Sequence, residues 1–187
     1  MLFLQLRPFA KKDSLYVYSV WGVGVGTGPE FSFKLGADVI YKRQAFSFAY
    51  QGCLLPAKEQ PADFFAGITK HRVRVRSRAD LFSLMYGRVW YLGSTARFIM
   101  KGGVVAGKYT YPSNFVYLPP PGGAYGGNYS YTEVSTSFFG IKLNPVLEIP
   151  TPVVGGTVGV YAYASNIAIS AGIELNFLLG ELKDKRK

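Results

Sequence analysis

The segment Ile167–Leu179 reads IAISAGIELNFLL, and its residues separate into two faces with a period of two. The odd-numbered positions are all apolar, whereas the even-numbered positions are small or polar with the single exception of Leu178. Because side chains alternate across a β-strand, this pattern predicts a strand with one wholly apolar face. Strands of soluble domains usually run about five or six residues, but a tilted strand that crosses a bilayer needs about 9–11. The length of the segment and its apolar face together indicate that this face contacts lipid.

Seven further segments alternate in the same way or are bounded by turn residues. The eight predicted strands are Val17–Thr27, Phe31–Tyr41, Ala45–Gln51, Leu81–Tyr91, Thr95–Gly107, Tyr131–Glu148, Thr157–Ala164 and Ile167–Leu179. Short turns are expected at Lys42–Gln44, Leu92–Ser94 and Ile149–Pro152, and long loops at Gly52–Lys70 and Lys108–Ser130. Short turns at one end and long loops at the other are typical of barrels that span an outer membrane. The sequence therefore predicts an all-β fold, an eight-stranded antiparallel up-and-down transmembrane β-barrel, whose closure removes the strand edges that lipid cannot satisfy.

A helical span is the alternative for Ile149–Ile173, because this stretch carries no charge and is long enough to cross a bilayer as a helix. However, Pro150 and Pro152 open the stretch, and Ser165-Asn166 interrupts it. Its apolar residues also alternate with a period of two. A β-hairpin is therefore the favoured interpretation.

Composition is consistent with one membrane barrel domain. The chain has 187 residues, 14 Tyr, 14 Phe and 22 Gly, and a formal net charge of +10. We assign residues 14–180 to the barrel, residues 1–13 to a disordered or residual signal-peptide-like N-terminus, and residues 181–187 to a charged tail. The positive charge suits either a nucleic acid or the anionic outer surface of a Gram-negative envelope. The single cysteine, Cys53, excludes an internal disulfide framework.

Charged residues fall on the face opposite the apolar stripe of each predicted strand. The candidates for the lumen are Lys34, Asp38, Arg88, Arg97, Lys101, Lys142, Glu148 and Glu174. Charges inside a narrow lumen must pair and form hydrogen bonds, since water is scarce there. An eight-stranded barrel has an interior that side chains just fill, so a network of ion pairs that plugs the lumen is favoured over a proton or ion pathway.

The chain resembles the small eight-stranded outer-membrane β-barrels of Gram-negative bacteria, of the OmpA/OmpX type. The resemblance covers roughly residues 16–179 and rests on the strand pattern, on Leu84-Met85-Tyr86-Gly87-Arg88 and on the closing segment Gly172–Gly180. It implies that the last strand is read by the barrel-assembly machinery, with Phe177 as the aromatic residue near its end. The chain departs from that pattern by continuing into the charged tail Glu181–Lys187.

A row of arginines precedes the fourth predicted strand. The sequence His71–Arg78 reads HRVRVRSR, so an extended backbone places Arg72, Arg74, Arg76 and Arg78 on one face. Guanidinium groups bind phosphates in a bidentate manner, and the nearest phosphates on an outer surface belong to lipopolysaccharide. The alternative is a solvated basic edge that discourages strand pairing. Because Arg88 has the same parity as the row, the row is expected to continue the lumen face and cap the mouth of the barrel.

The sequence offers little for catalysis. His71 is the only histidine, so a metal site that needs several imidazoles is excluded, and no catalytic residue or cofactor is assigned. A lipid-modifying enzyme, with His71 as the base of a triad, is the enzymatic alternative. The repeated Gly22-x-Gly24-x-Gly26 has the period of a strand and lacks the helix that a dinucleotide-binding loop requires.

The expected function is therefore structural or one of surface interaction, through the extracellular loops of a monomeric barrel in the cell outer membrane of a Gram-negative bacterium. The expected partners are outer-membrane lipid, lipopolysaccharide and the barrel-assembly machinery, and no nucleic acid. A soluble lipocalin-like carrier of apolar ligands is the other alternative, and it requires the apolar faces to point inward.

Overall fold

The structure is a computed structural model that describes residues 15–27, 30–57, 60–64, 75–118 and 128–182. Eight antiparallel strands, each hydrogen-bonded to its neighbours in chain order, close into a barrel. The strands are β1 Leu15–Gly26, β2 Glu30–Tyr41, β3 Gln44–Pro56, β4 Arg76–Leu92, β5 Ala96–Tyr117, β6 Tyr129–Pro150, β7 Val154–Ser165 and β8 Ile169–Glu181. The predicted eight-stranded transmembrane barrel is confirmed.

Closure is made by the first and last strands. β1 pairs with β8 from Val17 opposite Glu181 to Gly26 opposite Gly172. Because the sheet closes on itself, the backbone groups of every strand face a neighbouring strand, as a lipid environment requires. The β6–β7 ladder is interrupted at Asn144 and Pro145, where the Asn144 side chain donates to the carbonyl of Val160. The helical alternative for residues 149–173 is wrong, since this stretch forms a turn, β7 and the start of β8. Within the described ranges, no helix is long and apolar enough to cross a membrane.

The outward face of the barrel is apolar. Large hydrophobic side chains alternate along every strand with buried ones, and several are more than half exposed, among them Ile141, Ile173 and Leu175. Aromatic pairs lie near both ends of this belt. Trp90 and Phe98 lie near the short turns, with ring centroids 5.8 Å apart. An apolar belt with rings towards its two ends is the exterior of a membrane barrel, so the lipocalin-like alternative, which needs the opposite polarity, is wrong.

The two ends of the barrel differ, as the turn lengths predict. Both termini of the described barrel and the β2–β3, β4–β5 and β6–β7 turns lie at one end, which we call the short-turn end. The opposite end, the loop end, carries the β1–β2, β3–β4, β5–β6 and β7–β8 connections.

The predicted loops are too long. Residues 52–56 belong to β3, residues 108–117 belong to β5, and β6 already begins at Tyr129. The Pro and Gly content of these stretches suggested irregular structure. Residues 52–56 extend β3 because they pair with β4. The Tyr, Thr and Val residues of 108–117 favour a strand, and β5 and β6 pair with each other beyond the ends of their other neighbours. The predicted N-terminal segment 1–13 and most of the tail 181–187 lie outside the described residues.

Candidate functional site

The lumen contains seven of the eight charged residues predicted for it. None of the seven is more than 6% exposed: Lys34, Asp38, Arg97, Lys101, Lys142, Glu148 and Glu174. Each occupies the inward parity of its strand, opposite the apolar outward positions, which is why strand alternation found them. The structure thus brings together, from four different strands, charges that are far apart in the sequence.

Three ion pairs join these charges across strands. The ammonium Nζ of Lys34 lies 2.8 Å from Oε1 of Glu174, and Nζ of Lys101 lies 2.7 Å from Oδ2 of Asp38. The guanidinium of Arg97 pairs with Glu148 on the neighbouring strand. Each of these three cations therefore has an opposite charge at contact distance in a region that water hardly reaches, which offsets the free energy lost on desolvation.

Neutral polar side chains complete the network. Glu174 accepts further hydrogen bonds from the amides of Asn144 and Asn176, each at 3.1 Å. Tyr18 donates a hydrogen bond to Glu148 over 3.0 Å. These partners share the inward parity of their strands, so sequence parity could have located them. Their pairing could not have been predicted, because it depends on which strands face each other across the lumen.

Lys142 differs from the other lumen cations. Its Nζ donates to the amide oxygen Oε1 of Gln51 at 2.6 Å and lies 5.5 Å from the centre of the Tyr161 ring. The structure shows no carboxylate within ion-pair distance of it among the described residues. A neutral amide and an aromatic face thus solvate this buried amine.

Two apolar clusters lie above and below most of the charges. The lower cluster, at the short-turn end, is formed by Tyr16, Tyr18, Val20, Ile40, Ala45, Val89, Ile99, Leu178 and Leu182. The upper cluster, at the loop end, is formed by Cys53, Ala79, Leu81, Val105, Phe138, Tyr161 and Tyr163. The Arg97 guanidinium is embedded in the lower cluster, where it lies 5.5 Å from the Tyr16 ring and donates to the carbonyl of Leu182. The lumen is therefore layered: apolar side chains lie at both ends, the Lys34–Glu174 and Lys101–Asp38 pairs lie between them, and the Arg97–Glu148 pair lies within the lower cluster.

The prediction that Arg88 lies in the lumen is wrong. Arg88 is exposed and shares the outward face of β4 with Tyr86 and Trp90, whereas Val89 and Met85 point inward. The inward face of β4 is itself largely apolar, so polarity does not distinguish the two faces of this strand. The physical reason for the outward position is that Val89 and the lower cluster fill the lumen at this level, and a long side chain near the membrane edge can extend its charge to the interface.

The arginine row is only partly described. His71, Arg72 and Arg74 lie outside the described residues, whereas Arg76 and Arg78 begin β4 and are both exposed. They share the outward parity of Phe82, whereas Ser77 and Ala79 point inward, so the expectation of a cap on the lumen is wrong for these two arginines.

The described arginines lie just beyond the apolar belt at the loop end. Nη2 of Arg78 pairs with Oδ1 of Asp80 at 2.8 Å, and it also donates to the hydroxyl of Tyr50. Lys108 of β5 lies opposite Asp80 in the β4–β5 ladder and is exposed. The loop-end border of the apolar belt therefore carries one carboxylate, that of Asp80, and several cations.

β5 and β6 project beyond the rest of the barrel as a long hairpin. Their mutual ladder continues to Val116 opposite Ser130 and Tyr117 opposite Tyr129. By contrast, the β4–β5 ladder ends at Thr110, and the β6–β7 ladder ends at Gly140. We call the part of this pair above those positions the projecting hairpin.

Part of the β3–β4 connection is docked on the projecting hairpin. The Phe64 ring is 3% exposed and lies 5.8 Å from the Phe115 ring and 6.2 Å from the Tyr129 ring. Asn128 donates to the carbonyl of Asp63 at 2.7 Å, and the Tyr129 hydroxyl donates to the Asp63 carboxylate. Desolvation and this hydrogen bond raise the pKa of Tyr129 above its ordinary value.

Comparisons with known proteins agree on the fold. No protein-family model matches the chain, and no curated protein matches it in sequence. Among solved structures, Neisserial surface protein A matches with a TM-score of 0.57 at 12% identity, over 88% of this chain and 96% of that one. Ail, the attachment invasion locus protein of Yersinia pestis, solved in complex with the heparin analogue sucrose octasulfate, matches with a TM-score of 0.54 at 9% identity, over 92% and 100%. The N-terminal β-barrel domain of Pseudomonas aeruginosa OprF matches with a TM-score of 0.53 at 9% identity, over 90% and 98%. With the closed ladder and the apolar exterior, these similarities establish the fold of this chain as that of a small eight-stranded transmembrane β-barrel.

Proposed function

We propose that this protein is an integral barrel of a Gram-negative outer membrane, with a plugged lumen and a surface-interaction role carried by the projecting hairpin. The main support for the proposal is the part of β6 that lies beyond its ladder with β7. The last β6 residue in that ladder is Gly140, and β6 continues beyond it, towards the loop end, as far as Tyr129. The structural neighbours include outer-membrane barrels, which supports the location. The short-turn end then faces the periplasm, and the loop end faces outward.

The projecting part of β6 has the properties of an edge that adds a strand. Its sequence, Tyr129–Phe139, is rich in aromatic and β-branched residues and contains only one charged residue, Glu133. Proteins usually blunt an exposed edge with charges or proline, because unpaired backbone groups recruit another chain. Among the described residues, no strand pairs with this edge above Phe139, which favours an extended protein segment that binds by β-strand addition.

The direction of the backbone groups on this edge is defined. The carbonyl of Phe139 accepts from the backbone N–H of Asn166, on the β7 side. The carbonyl of Asn128 accepts from Leu118, on the β5 side. Because backbone groups alternate in direction along a strand, the odd-numbered residues above Phe139, such as Ser135 and Ser137, direct their N–H and C=O groups to the open edge.

Proline substitution tests this edge without touching the β5–β6 ladder. The variant Ser135→Pro/Ser137→Pro removes two edge N–H donors, whereas the matched control Ser135→Ala/Ser137→Ala removes only the hydroxyls. We expect a displayed library of random peptides, selected against the protein in lipid nanodiscs, to yield extended peptides. These peptides should bind the alanine variant like the unsubstituted protein and fail to bind the proline variant. Peptides that bind the proline variant equally well, or no enrichment at all, would contradict the proposal.

A second interaction is proposed for the arginine row, with lipopolysaccharide phosphates as its ligands. Arg76 and Arg78 are exposed on the outward face at the loop end, where outer-leaflet headgroups lie in the proposed orientation. The sulfated ligand in the Ail structure shows that another barrel of this fold was solved with a polyanion, which supports a search for the same chemistry here.

Glutamine substitution of Arg72, Arg74, Arg76 and Arg78 tests the lipopolysaccharide contact. We expect weaker binding of lipopolysaccharide in a titration, because glutamine cannot form charge-assisted bidentate bonds to phosphate. Arg88→Gln is the control, since it removes an outward-facing arginine near the other membrane edge. If the variant with all four substitutions bound lipopolysaccharide as tightly as the unsubstituted protein, the proposal would be wrong. The row would then be a solvated basic edge.

The remaining parts of the proposal concern assembly and chemistry. Phe177 lies on the outward face of the closing strand β8, which supports its role in the signal read by the barrel-assembly machinery. We propose a monomeric, non-catalytic protein without a cofactor. Among the described residues, no group of three or more His, Cys, Asp or Glu side chains is arranged to hold a metal ion.

A further inference from the structure

A cavity of about 220 Å³ lies at the loop end, directly above the upper apolar cluster. Its floor is formed by Ala79, Phe138 and Tyr163, which belong to that cluster, and its walls include Leu55 and Tyr109. The β7–β8 connection forms its lip. We call it the mouth cavity. Because the upper cluster closes it from below, it is a dead-end recess and not the entrance to a channel.

The surface of the mouth cavity is mostly apolar, although five residues that carry hydroxyl groups contribute to it. None of the described residues that line it is charged. The Ser165 hydroxyl at the lip donates to the carbonyl of Ala168 at 3.0 Å and accepts from its N–H at 3.1 Å. The Thr27 hydroxyl accepts from the N–H of Ala171 and donates to Ser170. Since these hydroxyls already have partners within the chain, the recess favours a neutral ligand that needs no hydrogen bonds.

The size of the recess limits the ligand to a small molecule. An apolar cavity of roughly 150 Å³ inside a protein is large enough to take up benzene or xenon. At about 220 Å³, the mouth cavity has room for one ring with a small substituent.

Aromatic residues determine which ring fits best. The rings of Tyr109, Phe138 and Tyr163 line the recess, and aromatic rings attract one another in offset or edge-to-face arrangements. The floor is well defined, because Phe138 lies over Gly107 of the neighbouring strand. A Cβ atom at Gly107 would approach the Phe138 ring to 2.8 Å. The Tyr109 ring is supported by Tyr111, at 5.3 Å between centroids.

The recess is reached from the outer end of the barrel. Its lip includes Ala168 and Ile169, both exposed, and Ile169 is the outermost described apolar residue of β8. An apolar molecule that arrives from the medium or from the outer leaflet therefore meets the opening without crossing the charged layer. We propose that the mouth cavity is a binding site for small neutral aromatic hydrocarbons, of the size of toluene.

Methyl NMR of the full chain in nanodiscs of deuterated lipid tests this site, with toluene as the probe. We expect saturable shifts of the Ala79, Leu55 and Ala168 methyl signals and nuclear Overhauser effects between these methyls and the toluene ring. Benzoate, which has a similar size but carries a charge, should give no saturable shift. Saturation is the decisive property, because toluene that merely dissolves in the bilayer shifts signals in proportion to its concentration.

Filling the recess provides the mutational test. Ala79→Leu places a larger side chain in the floor and should weaken toluene binding at least tenfold. Ala162→Leu is the matched control, since Ala162 lies on the outward face of β7 and the same change there leaves the recess intact. If Ala79→Leu fails to fold, as judged by loss of the heat-modifiable gel shift, Phe138→Ala replaces it. That variant enlarges the recess and should admit naphthalene, which the unsubstituted protein excludes.

Three results would overturn the proposal. The first is a shift that never saturates in the unsubstituted protein. The second is equal toluene affinity in the Ala79→Leu and Ala162→Leu variants, or exclusion of naphthalene by Phe138→Ala. The third requires a sample with protonated lipid. If the Leu55 methyls show Overhauser effects to lipid acyl chains and added toluene does not remove them, the occupant is a lipid chain.

Discussion

At the scale of single residues, Glu174 and Lys142 represent two ways of burying a charge. Glu174 accepts hydrogen bonds from Lys34, Asn144 and Asn176, so its negative charge is neutralised and its oxygens are well solvated by the protein. Lys142 has only the amide of Gln51 and the ring of Tyr161. Loss of the Glu174 charge leaves a buried cation without its counter-ion. Loss of the Lys142 charge removes a hydrogen bond to Gln51 but leaves no buried charge unpaired.

Opposite effects on stability are therefore expected from Glu174→Gln and Lys142→Met. Glu174→Gln leaves the Lys34 ammonium buried without its counter-charge and should lower the free energy of unfolding by about 3–5 kcal/mol. Lys142→Met keeps the aliphatic stem, removes an uncompensated charge, and should leave stability unchanged or higher. Urea unfolding in lipid vesicles, followed by the fluorescence of Trp21 and Trp90, measures both. An equal loss in the two variants would contradict this account of the lumen.

The position of Arg88 on the lipid-facing side leads to a second prediction. A lipid-facing arginine costs about 2–4 kcal/mol at the bilayer midplane but only about 0–1 kcal/mol near an interface. Arg88 lies towards the short-turn end, so Arg88→Leu should change the free energy of unfolding by less than about 1 kcal/mol. Leu84→Arg, on the same face of β4 and closer to its middle, should destabilise by about 2–4 kcal/mol. A large effect of Arg88→Leu in the same unfolding assay would indicate that Arg88 has a partner that the apolar exterior does not suggest.

At the scale of elements, the projecting hairpin and the β3–β4 connection form a unit beyond the membrane. Phe64 holds the connection to the hairpin through rings on both of its strands. This contact lies outside the continuous eight-stranded ladder, so its loss should open the unit locally while the barrel stays folded.

Limited proteolysis should detect that local opening. In Phe64→Ala, trypsin should cleave within residues 57–75 at least several times faster than in the unsubstituted protein, whereas urea unfolding of the barrel should be unchanged. Tyr117→Ala is the control, because its ring contacts Tyr129 and it is exposed, so removing it leaves the Phe64 contacts in place. Equal cleavage of the two variants would show that Phe64 does not hold the connection.

At the scale of the whole molecule, the layering of the lumen bears on permeation. An ion that crossed the barrel would have to displace both apolar clusters as well as break ion pairs between them. We therefore expect no stable unitary conductance in planar lipid bilayers, with a large-pore porin as the positive control. Discrete steps that disappear in Glu174→Gln would instead support the ion-pathway alternative.

Much of this architecture was accessible from the sequence because alternation is a local property. In β2 and β5, a charge between apolar neighbours is enough to place Lys34 and Lys101 in the lumen. The same reasoning failed for β4, where both faces are largely apolar and Arg88 could not be assigned by polarity. It also failed at the ends of β5 and β6, since the Gly and Pro residues between them suggested one long loop, whereas residues 108–117 and 129–139 extend the strands by pairing mainly with each other.

The apolar odd-numbered face of Ile167–Leu179 and the similar faces of the other seven segments were enough to predict a membrane barrel of eight strands. Both the period of two and the strand length are properties of the local sequence. Only the tertiary structure decided which charges pair, that Lys142 has an amide in place of a carboxylate, and that a recess lies above Phe138. The physical reason is that these features depend on the stagger with which β8 meets β1 and on the side chains that then share one level of the lumen. These contacts join residues from 51 positions apart, for Arg97 and Glu148, to 140 positions apart, for Lys34 and Glu174, and no local pattern encodes them.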